Sequence, residues 1–287
     1  MNRIASVFAL SLLIFLASAF VAGAKRAEQR QPSTAASCNT LKSPYQNGEK
    51  ATYKIYYNWK AMWMSAGAVT FEVQDAQICD KNVHKVLCEG KTFPKFDWFY
   101  KVRDRYETYI DPTTKLPLKF LKDIKEGSYS QENMYTFYHD RSEAMVNYYK
   151  RKGKLRFENQ TYDITTCSQD LLSAIYYSRC MDYSHLKKGE KLNIDIFLDQ
   201  KTYNIGLTYL GKETLDTDLG KFKCAKFSPQ LLSGDIFKDG DQMTVWVTDD
   251  ENRVPLMIES PLVVGSVKCY LTDISGLKNP QTSKITE

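Results

Sequence analysis

The sequence predicts a mainly β protein, with a large antiparallel sheet curled into a barrel or half-barrel and one central helix packed on it. Short segments of alternating apolar and polar residues recur along most of the 287-residue chain. Only one segment has the spacing of an amphipathic helix. Aromatic residues, which favour strands, make up 13% of the chain. Many short strands at regular spacing are typical of curled antiparallel sheets.

The strand predictions depend on side chains that alternate between two faces. In residues 51–58, Tyr53, Ile55 and Tyr57 share one face, and polar residues occupy the other. Asp111 and Pro112 begin a turn between two later strands. The other predicted strands are residues 68–74, 85–92, 100–110, 116–125, 128–138, 143–150, 192–198, 202–209, 221–228, 243–248, 254–260 and 264–274.

Residues 169–179 are predicted to form the helix. Thr166 and Gln169 have the spacing of a capping box, in which a hydroxyl and a glutamine bond to backbone amides of the first turn. Leu171 and Ile175 lie four positions apart, so they share one face of the helix. That apolar face is expected to pack on the sheet.

Residues 1–24 are predicted to be a secretory signal peptide. Arg3 is followed by an apolar run that ends in the small residues of 22–24, as at a cleavage site. A retained N-terminal anchor is one alternative, because the run is almost long enough to span a bilayer. A lipoprotein modified at Cys38 is another. The sequence therefore predicts export, to the periplasm first, with outer-membrane association as the second option.

After this segment, residues 25–44 are predicted to be a flexible leader, because they are polar and small. Residues 45–287 are predicted to form a single β-rich domain, or two β halves joined around the helix at 169–179. No later apolar stretch is long enough for a transmembrane helix. The mature protein is therefore expected to be associated with the envelope without a transmembrane segment.

The charge pattern gives no sign of a nucleic-acid partner. Lys and Arg number 39 against 34 Asp and Glu, a net charge of +5, and the basic residues are spread out. His84, His139 and His185 do not have the spacing of metal ligands. The sequence contains no phosphate-binding glycine loop or hydrolase motif. We therefore predict no catalytic residues, no metal and no cofactor, and favour a protein that is not an enzyme.

Seven cysteines allow disulfides in an oxidising compartment, and the odd number leaves at least one of them free. Cys79 and Cys88 flank a turn-like sequence at residues 80–83, so we predict a disulfide between them across a hairpin. The sequence leaves open the pairing of Cys38, Cys167, Cys180, Cys224 and Cys269.

An aromatic-rich segment supplies one group of candidate ligand-binding residues. Arg103 and Arg105 share one face of a predicted strand and have the fork geometry to hold a phosphate, sulfate or carboxylate. Tyr106 follows them and completes the candidate site. The alternative is that both arginines form cross-strand ion pairs with acids such as Asp123 or Glu126.

A second candidate is the segment from Trp59 to Met64, which contains Trp59, Trp63 and two methionines. Amphipathic rings and flexible methionines suit the lip of a cavity for an acyl chain. The alternative is a buried connection between strands.

Seven short segments, spread over most of the chain, carry a family resemblance. They are residues 47–53, 57–60, 66–67, 102–107, 170–177, 245–250 and 253–255. In this order they resemble the bacterial "domain of unknown function 3108" family, particularly its exported members from Bacteroides-like Gram-negative bacteria. The resemblance implies an exported, mostly β protein and implies no activity.

The leading hypothesis is a non-enzymatic periplasmic binding or carrier protein for a lipid or other amphipathic envelope component. Its cavity would lie between the curved sheet and the helix at 169–179. One alternative is a glycan-binding module that uses exposed aromatic rings. Another is an enzyme acting on envelope polysaccharide, which would need two carboxyl groups about 5–10 Å apart in a cleft.

Overall fold

The computed structural model describes residues 41–59, 62–98, 100–150, 154–230, 243–262 and 265–286. The predicted signal peptide at residues 1–24 and residues 25–40 of the leader lie outside the described residues. The last four residues of the predicted leader belong to the folded structure. Leu41 packs against the core, and Lys278 Nζ donates a hydrogen bond of 2.8 Å to the Ser43 carbonyl.

The described residues form fifteen strands and two helices. The strands are β1 Lys50–Trp59, β2 Met62–Ile78, β3 Lys81–Thr92, β4 Arg103–Ile110, β5 Pro117–Glu126, β6 Tyr129–Tyr138, β7 Glu143–Lys150, β8 Lys154–Asp163, β9 Lys191–Leu198, β10 Lys201–Thr217, β11 Gly220–Pro229, β12 Thr244–Thr248, β13 Pro255–Pro261, β14 Ser266–Ser275 and β15 Lys284–Ile285. The helices are α1 Pro94–Asp97 and α2 Leu171–Cys180.

All fifteen strands belong to one antiparallel sheet, which confirms the predicted fold class at that level. The strand order is β8-β7-β6-β5-β4-β3-β2-β1-β14-β13-β12-β11-β10-β9, and β15 pairs with β11. Each of the two arms is a meander of neighbouring strands. β1 joins the arms, because it pairs with β2 on one side and with β14 on the other.

The sheet curls but does not close into a barrel. β8 and β9 end the strand order, and no ladder joins them in the part of the chain that the structure describes. Phe197 of β9 nevertheless contacts the opposite arm. Its ring centre lies 6.0 Å from that of Tyr135 in β6 and 6.2 Å from that of Tyr162 in β8. The predicted barrel or half-barrel is therefore confirmed only as a curled, open sheet.

Helix α2 begins two residues later than predicted, and its cap is a different residue. Asp170 is the N-cap, and its carboxylate accepts the backbone N–H groups of Leu172 and Ser173, each at 2.8 Å. The Ser173 hydroxyl in turn accepts the backbone N–H of Asp170 at 2.9 Å. The capping box predicted from Thr166 and Gln169 is therefore wrong.

Gln169 does not start the helix, because its backbone is paired with β9. Its N–H donates to the Asp195 carbonyl, and its own carbonyl accepts from the Phe197 N–H, both at 2.8 Å. These bonds hold the backbone of Gln169 extended until the helix begins after Asp170.

The sequence did not predict β8, β15 or the short helix α1. In β8 the polar residues 158–161 hide the alternation, and Asn159 has a positive φ of 51° where the ladder with β7 is irregular. Pro94 at the first position of α1 suits a helix start. β2 and β10 are also longer than predicted, at 17 residues each.

Candidate functional site

The concave face of the sheet and helix α2 surround an apolar cavity of about 180 Å³. The strand alternation directs aliphatic side chains of one face into this space. The main aliphatic contributors are Leu171, Ala174 and Ile175 of α2, Leu192, Ile194, Ile196 and Leu198 of β9, Ile205 and Leu207 of β10, and Val245, Val247 and Ile258 of β12 and β13. An engineered apolar cavity of about 150 Å³ accommodates benzene, so the volume suits one slender apolar group.

One end of the cavity is polar, because a buried ion pair lies there. Glu49 and Arg179 are 2% and 4% exposed, and they form two hydrogen bonds of 2.5 and 3.0 Å. Arg179 also donates to the Asn252 carbonyl at 3.1 and 3.0 Å. Burial alone would lower the pKa of Arg179, but the Glu49 carboxylate outweighs it and the pKa rises. Arg179 therefore keeps its positive charge.

Arg253 adds a second guanidinium at the same end. It lines the cavity, and its Nη1 donates to the Arg179 carbonyl at the end of α2, at 3.1 Å. Its guanidinium carbon lies 5.0 Å from the centre of the Tyr183 ring. Its Nη2 also lies 4.0 Å from the Asp182 carboxylate. The two guanidiniums at this end are therefore matched by the carboxylates of Glu49 and Asp182.

Pro229, Gln230 and Met243 line another part of the cavity, at the end of β11 and the start of β12. Gln230 is anchored to the sheet by its backbone N–H, which donates to the Gly206 carbonyl at 2.8 Å. The cavity therefore extends from the polar residues beside the end of α2 to the start of β12.

The predicted anion-binding arginines form ion pairs with neighbouring acids. Arg103 binds Asp97 with both terminal nitrogens, at 3.1 and 2.6 Å. Arg105 binds Glu89 at 2.6 Å and Glu107 at 2.8 Å. The alternative expectation was ion pairs with Asp123 or Glu126, and neither of these acids is the partner.

Asp123 and Glu126 do not serve that role. Asp123 pairs with Lys125, and Glu126 lies buried on the inner face. Tyr106 also points inward and is buried, with its ring centre 6.2 Å from that of Phe120. The structure therefore does not bring Tyr106 together with Arg103 and Arg105, and none of the three lines the apolar cavity.

Of the two predicted tryptophans, Trp63 lies outside the cavity lining. Trp63 is 44% exposed, and Lys268 Nζ lies 5.1 Å from its ring centre. The side chain of Trp59 lies outside the described residues. The prediction of individual site residues thus missed the cavity lining. The signal for it was in the sequence, in the aliphatic alternation of β9 and the apolar face of α2.

The predicted disulfide between Cys79 and Cys88 is wrong, because both residues are free thiols. Cys79 and Asp80 form the two-residue turn between β2 and β3, with φ of 47° and 64°. Cys88 is buried far along β3, opposite Phe71. The turn was predicted at residues 80–83, and this small shift removes Cys79 from the ladder. Cys167 is disulfide-bonded. The other described free thiols are Cys180, Cys224 and Cys269.

Asp216 and Asp218 line a second pocket, together with Tyr56 of β1 and Tyr270 of β14. No group of three or more His, Cys, Asp or Glu side chains within the described residues is placed to hold a metal ion. Asp104 and Glu126 are buried neighbours, and burial raises the pKa of both, that of Asp104 to about 8. Neither carboxyl lines the apolar cavity.

A search of the described residues also finds no helix long and apolar enough to cross a membrane.

Together these features define a class of β protein in which a curled, open antiparallel sheet and one helix surround an apolar cavity. The chain belongs to the family described as "Protein of unknown function (DUF3108)", whose profile matches residues 52–272. This match confirms the family resemblance. No curated protein matches the chain significantly.

Two crystal structures are similar to this chain. One is a beta-barrel-like protein of the domain of unknown function DUF1849 from Brucella abortus, with 10% identity and a TM-score of 0.50. The match covers 82% of this chain and 99% of that one, and it supports the fold alone. The other is lipoprotein LppX from Mycobacterium tuberculosis, with 10% identity over 80% of this chain and 88% of that one. Its TM-score of 0.24 is too low to carry an argument.

Proposed function

We propose that this is a non-enzymatic periplasmic binding or carrier protein, which takes the apolar chain of a lipid or other amphipathic envelope component. The observation that carries the proposal is the cavity beneath α2, whose walls are mostly aliphatic. Each methylene group moved from water into such walls contributes roughly 0.8 kcal/mol. A narrow apolar space inside a curled sheet therefore favours a hydrocarbon chain over a polar ligand.

The volume of the cavity and the polar residues at one end limit which ligands can bind. A volume of about 180 Å³ suits part of one acyl chain and excludes a bundle of several chains. Arg253 lines one end of the cavity, where its guanidinium can donate hydrogen bonds to the polar head group of an amphiphile. We therefore expect a single-chain amphiphile with a polar head group.

Native mass spectrometry of the gently purified mature protein, followed by displacement of a fluorescent fatty acid, tests this proposal. We expect a retained amphiphile and saturable binding of the probe. Ala174→Phe places a ring in the cavity and should weaken probe binding by about tenfold or more, by analogy with the cost of overpacking a core. Ala76→Phe, on a β2 residue outside the lining, is the matched control.

Thermal unfolding of both variants separates loss of binding from loss of fold. Leu192→Ala provides a second check, because it enlarges the cavity and should let a bulkier probe bind. The proposal fails if the wild-type protein carries no amphiphile and shows no saturable binding of the fatty acid.

Glycan binding remains a second candidate, because Trp98 is 84% exposed and Trp63 is 44% exposed. Exposed indole rings can stack on sugar faces. A glycan array compares the two functions directly: a signal that Trp98→Ala removes would support glycan binding, whereas the carrier proposal expects an array without signal.

A further inference from the structure

Four large apolar side chains are exposed in the part of the chain that the structure describes. They are Met62 at 62% exposure, Trp63 at 44%, Trp98 at 84% and Tyr129 at 40%. We name these four residues the aromatic tip. Large apolar side chains that are exposed together mark interaction surfaces, whereas single scattered ones are ordinary.

Strand register places the first three residues at one end of the sheet. Met62 pairs with Trp59 where β1 ends and β2 begins, and Trp63 follows. The Phe93 N–H donates to the Ala66 carbonyl at 3.1 Å, which brings α1 to the same end. Trp98 comes directly after α1.

Tyr129 lies at this end as well. It begins β6, and it pairs with Glu126 at the end of β5. The Gly127 N–H in the intervening turn donates to the Lys101 carbonyl at 2.8 Å, just before β4 starts. The end of β5, the start of β6 and the segment after α1 are therefore neighbours.

Three lysines lie at the same end of the sheet as the aromatic tip. Lys91, Lys95 and Lys101 are exposed in this region, and none has an ion pair with any of the described residues. The nearby Asp97 carboxylate is already bound to Arg103. The aromatic tip therefore carries an excess of positive charge.

The apolar cavity reaches the same end of the sheet. β1 ends beside the start of β14 and the end of β13. β12 begins there too, because Thr244 pairs with Glu259 of β13. Met243, which lines the cavity, immediately precedes β12. The aromatic tip and this part of the cavity thus share one end of the molecule.

We propose that the aromatic tip docks on an anionic lipid bilayer. Tryptophan and tyrosine side chains prefer the head-group region of a bilayer, and lysines next to them are attracted to anionic lipids. Docking itself is independent of the carrier role. Its consequence, passage of an acyl chain between bilayer and cavity, depends on the proposed function.

Vesicle flotation of the mature protein tests the docking. Phosphatidylcholine vesicles with phosphatidylglycerol are compared with phosphatidylcholine alone, at low and high salt. We expect partitioning onto the anionic vesicles that salt weakens, and a blue shift of tryptophan fluorescence. The pair Lys95→Glu and Lys101→Glu should lower the partition coefficient about tenfold or more. Trp98→Ser should lower it through loss of apolar contact.

Lys81→Glu is the matched control, because Lys81 is exposed next to the β2–β3 turn, at the opposite end of β2 from Met62. It should leave more of the partitioning intact than Lys95→Glu does as a single change. Equal losses in both variants, or no partitioning of the wild-type protein onto anionic vesicles at low salt, would overturn the proposal.

Fatty-acid binding without vesicles is measured on the same variants. We expect the tip variants to keep it, because no tip residue lines the cavity. A protein that binds vesicles but not the fatty acid would disprove the carrier function and leave the docking in place. A protein that binds the fatty acid but not vesicles would disprove the docking and leave the carrier function in place.

Discussion

Glu49 and Arg179 connect three distant parts of the chain through their side chains. Glu49 immediately precedes β1, Arg179 lies in the last turn of α2, and the Asn252 carbonyl that Arg179 also binds lies between β12 and β13. Tyr176 and Tyr45 cover the guanidinium, whose carbon lies 5.2 and 5.6 Å from their ring centres. The pair therefore attaches the end of helix α2 to the start of β1 and to the segment between β12 and β13. It also forms part of the polar end of the cavity.

Breaking this pair should be costly. Arg179→Met leaves the Glu49 carboxylate buried without its partner, and we expect a loss of about 3–5 kcal/mol in the free energy of unfolding. The double variant with Glu49→Gln should lose less than the sum of the single changes. Urea unfolding measures both. Lys212→Ala is the control, because it removes the exposed pair with Asp249 and should cost no more than about 1 kcal/mol. Equal losses of stability in Arg179→Met and Lys212→Ala would contradict the prediction.

A different electrostatic effect is expected at Asp104. Burial and the neighbouring Glu126 raise its pKa to about 8, whereas an aspartate in an unfolded chain titrates near 4. Between these values the folded protein holds a proton that the unfolded chain has released. Because folding then binds a proton, stability should fall as pH rises from about 4 to about 8.

Urea unfolding at pH 5, 6.5 and 8 checks this expectation. One proton gives a slope of at most about 1.4 kcal/mol per pH unit. Asp104→Asn cannot titrate at this position, so its stability should depend less steeply on pH than that of the wild-type protein. Asp218→Asn, at an exposed carboxylate, is the control. An unchanged slope in Asp104→Asn would place the pH dependence elsewhere.

At the scale of secondary-structure elements, helix α2 depends on the side chain of Asp170. The carboxylate of Asp170 is fully buried and accepts hydrogen bonds from two backbone N–H groups at the start of the helix. It also accepts the Thr108 hydroxyl of β4 at 2.5 Å, which attaches the helix start to the sheet. α2 forms one wall of the cavity, so its position affects both the stability of the fold and the shape of the cavity.

Asp170→Ala should remove the cap and the link to β4 together. A lost N-cap costs about 0.5–2 kcal/mol, and we expect the upper part of that range here. Asp140→Ala, in the exposed turn between β6 and β7, should change the free energy of unfolding by less than about 0.5 kcal/mol. Thermal unfolding and fatty-acid binding of both variants provide the measurement. If Asp170→Ala proves as stable as Asp140→Ala, the cap does not stabilise the helix and the prediction is wrong.

For the whole molecule, alternation along the sequence was sufficient to predict most strands of a single antiparallel sheet. It worked for β1 because Tyr53, Ile55 and Tyr57 all face the core. It failed for β8, where polar residues occupy both faces. Turn position was harder to predict: a small error at Cys79 was enough to produce a disulfide that the structure does not contain.

The sequence predicted a cavity between the sheet and the helix, and the structure has one. The sequence analysis did not predict which residues line it. Arg103, Arg105 and Trp63 were predicted as site residues because charged and aromatic side chains are conspicuous in the sequence. Residue spacing alone could not show that both arginines pair with nearby acids, or that Trp63 is exposed. The cavity walls are ordinary aliphatic residues, which become a site only when distant strands curve around the helix.

The pairing of β1 with β14 has a consequence for how the chain can be connected. Lys50 lies opposite Ser275, so the first and last long strands are neighbours in the middle of the sheet. A circularly permuted chain that begins just before α2, and joins the old termini through a flexible linker, would therefore keep every neighbouring strand pair. In that order the other fourteen strands follow one another as a meander from β9 through β14 and β1 to β8, and β15, between β14 and β1, keeps its pairing with β11.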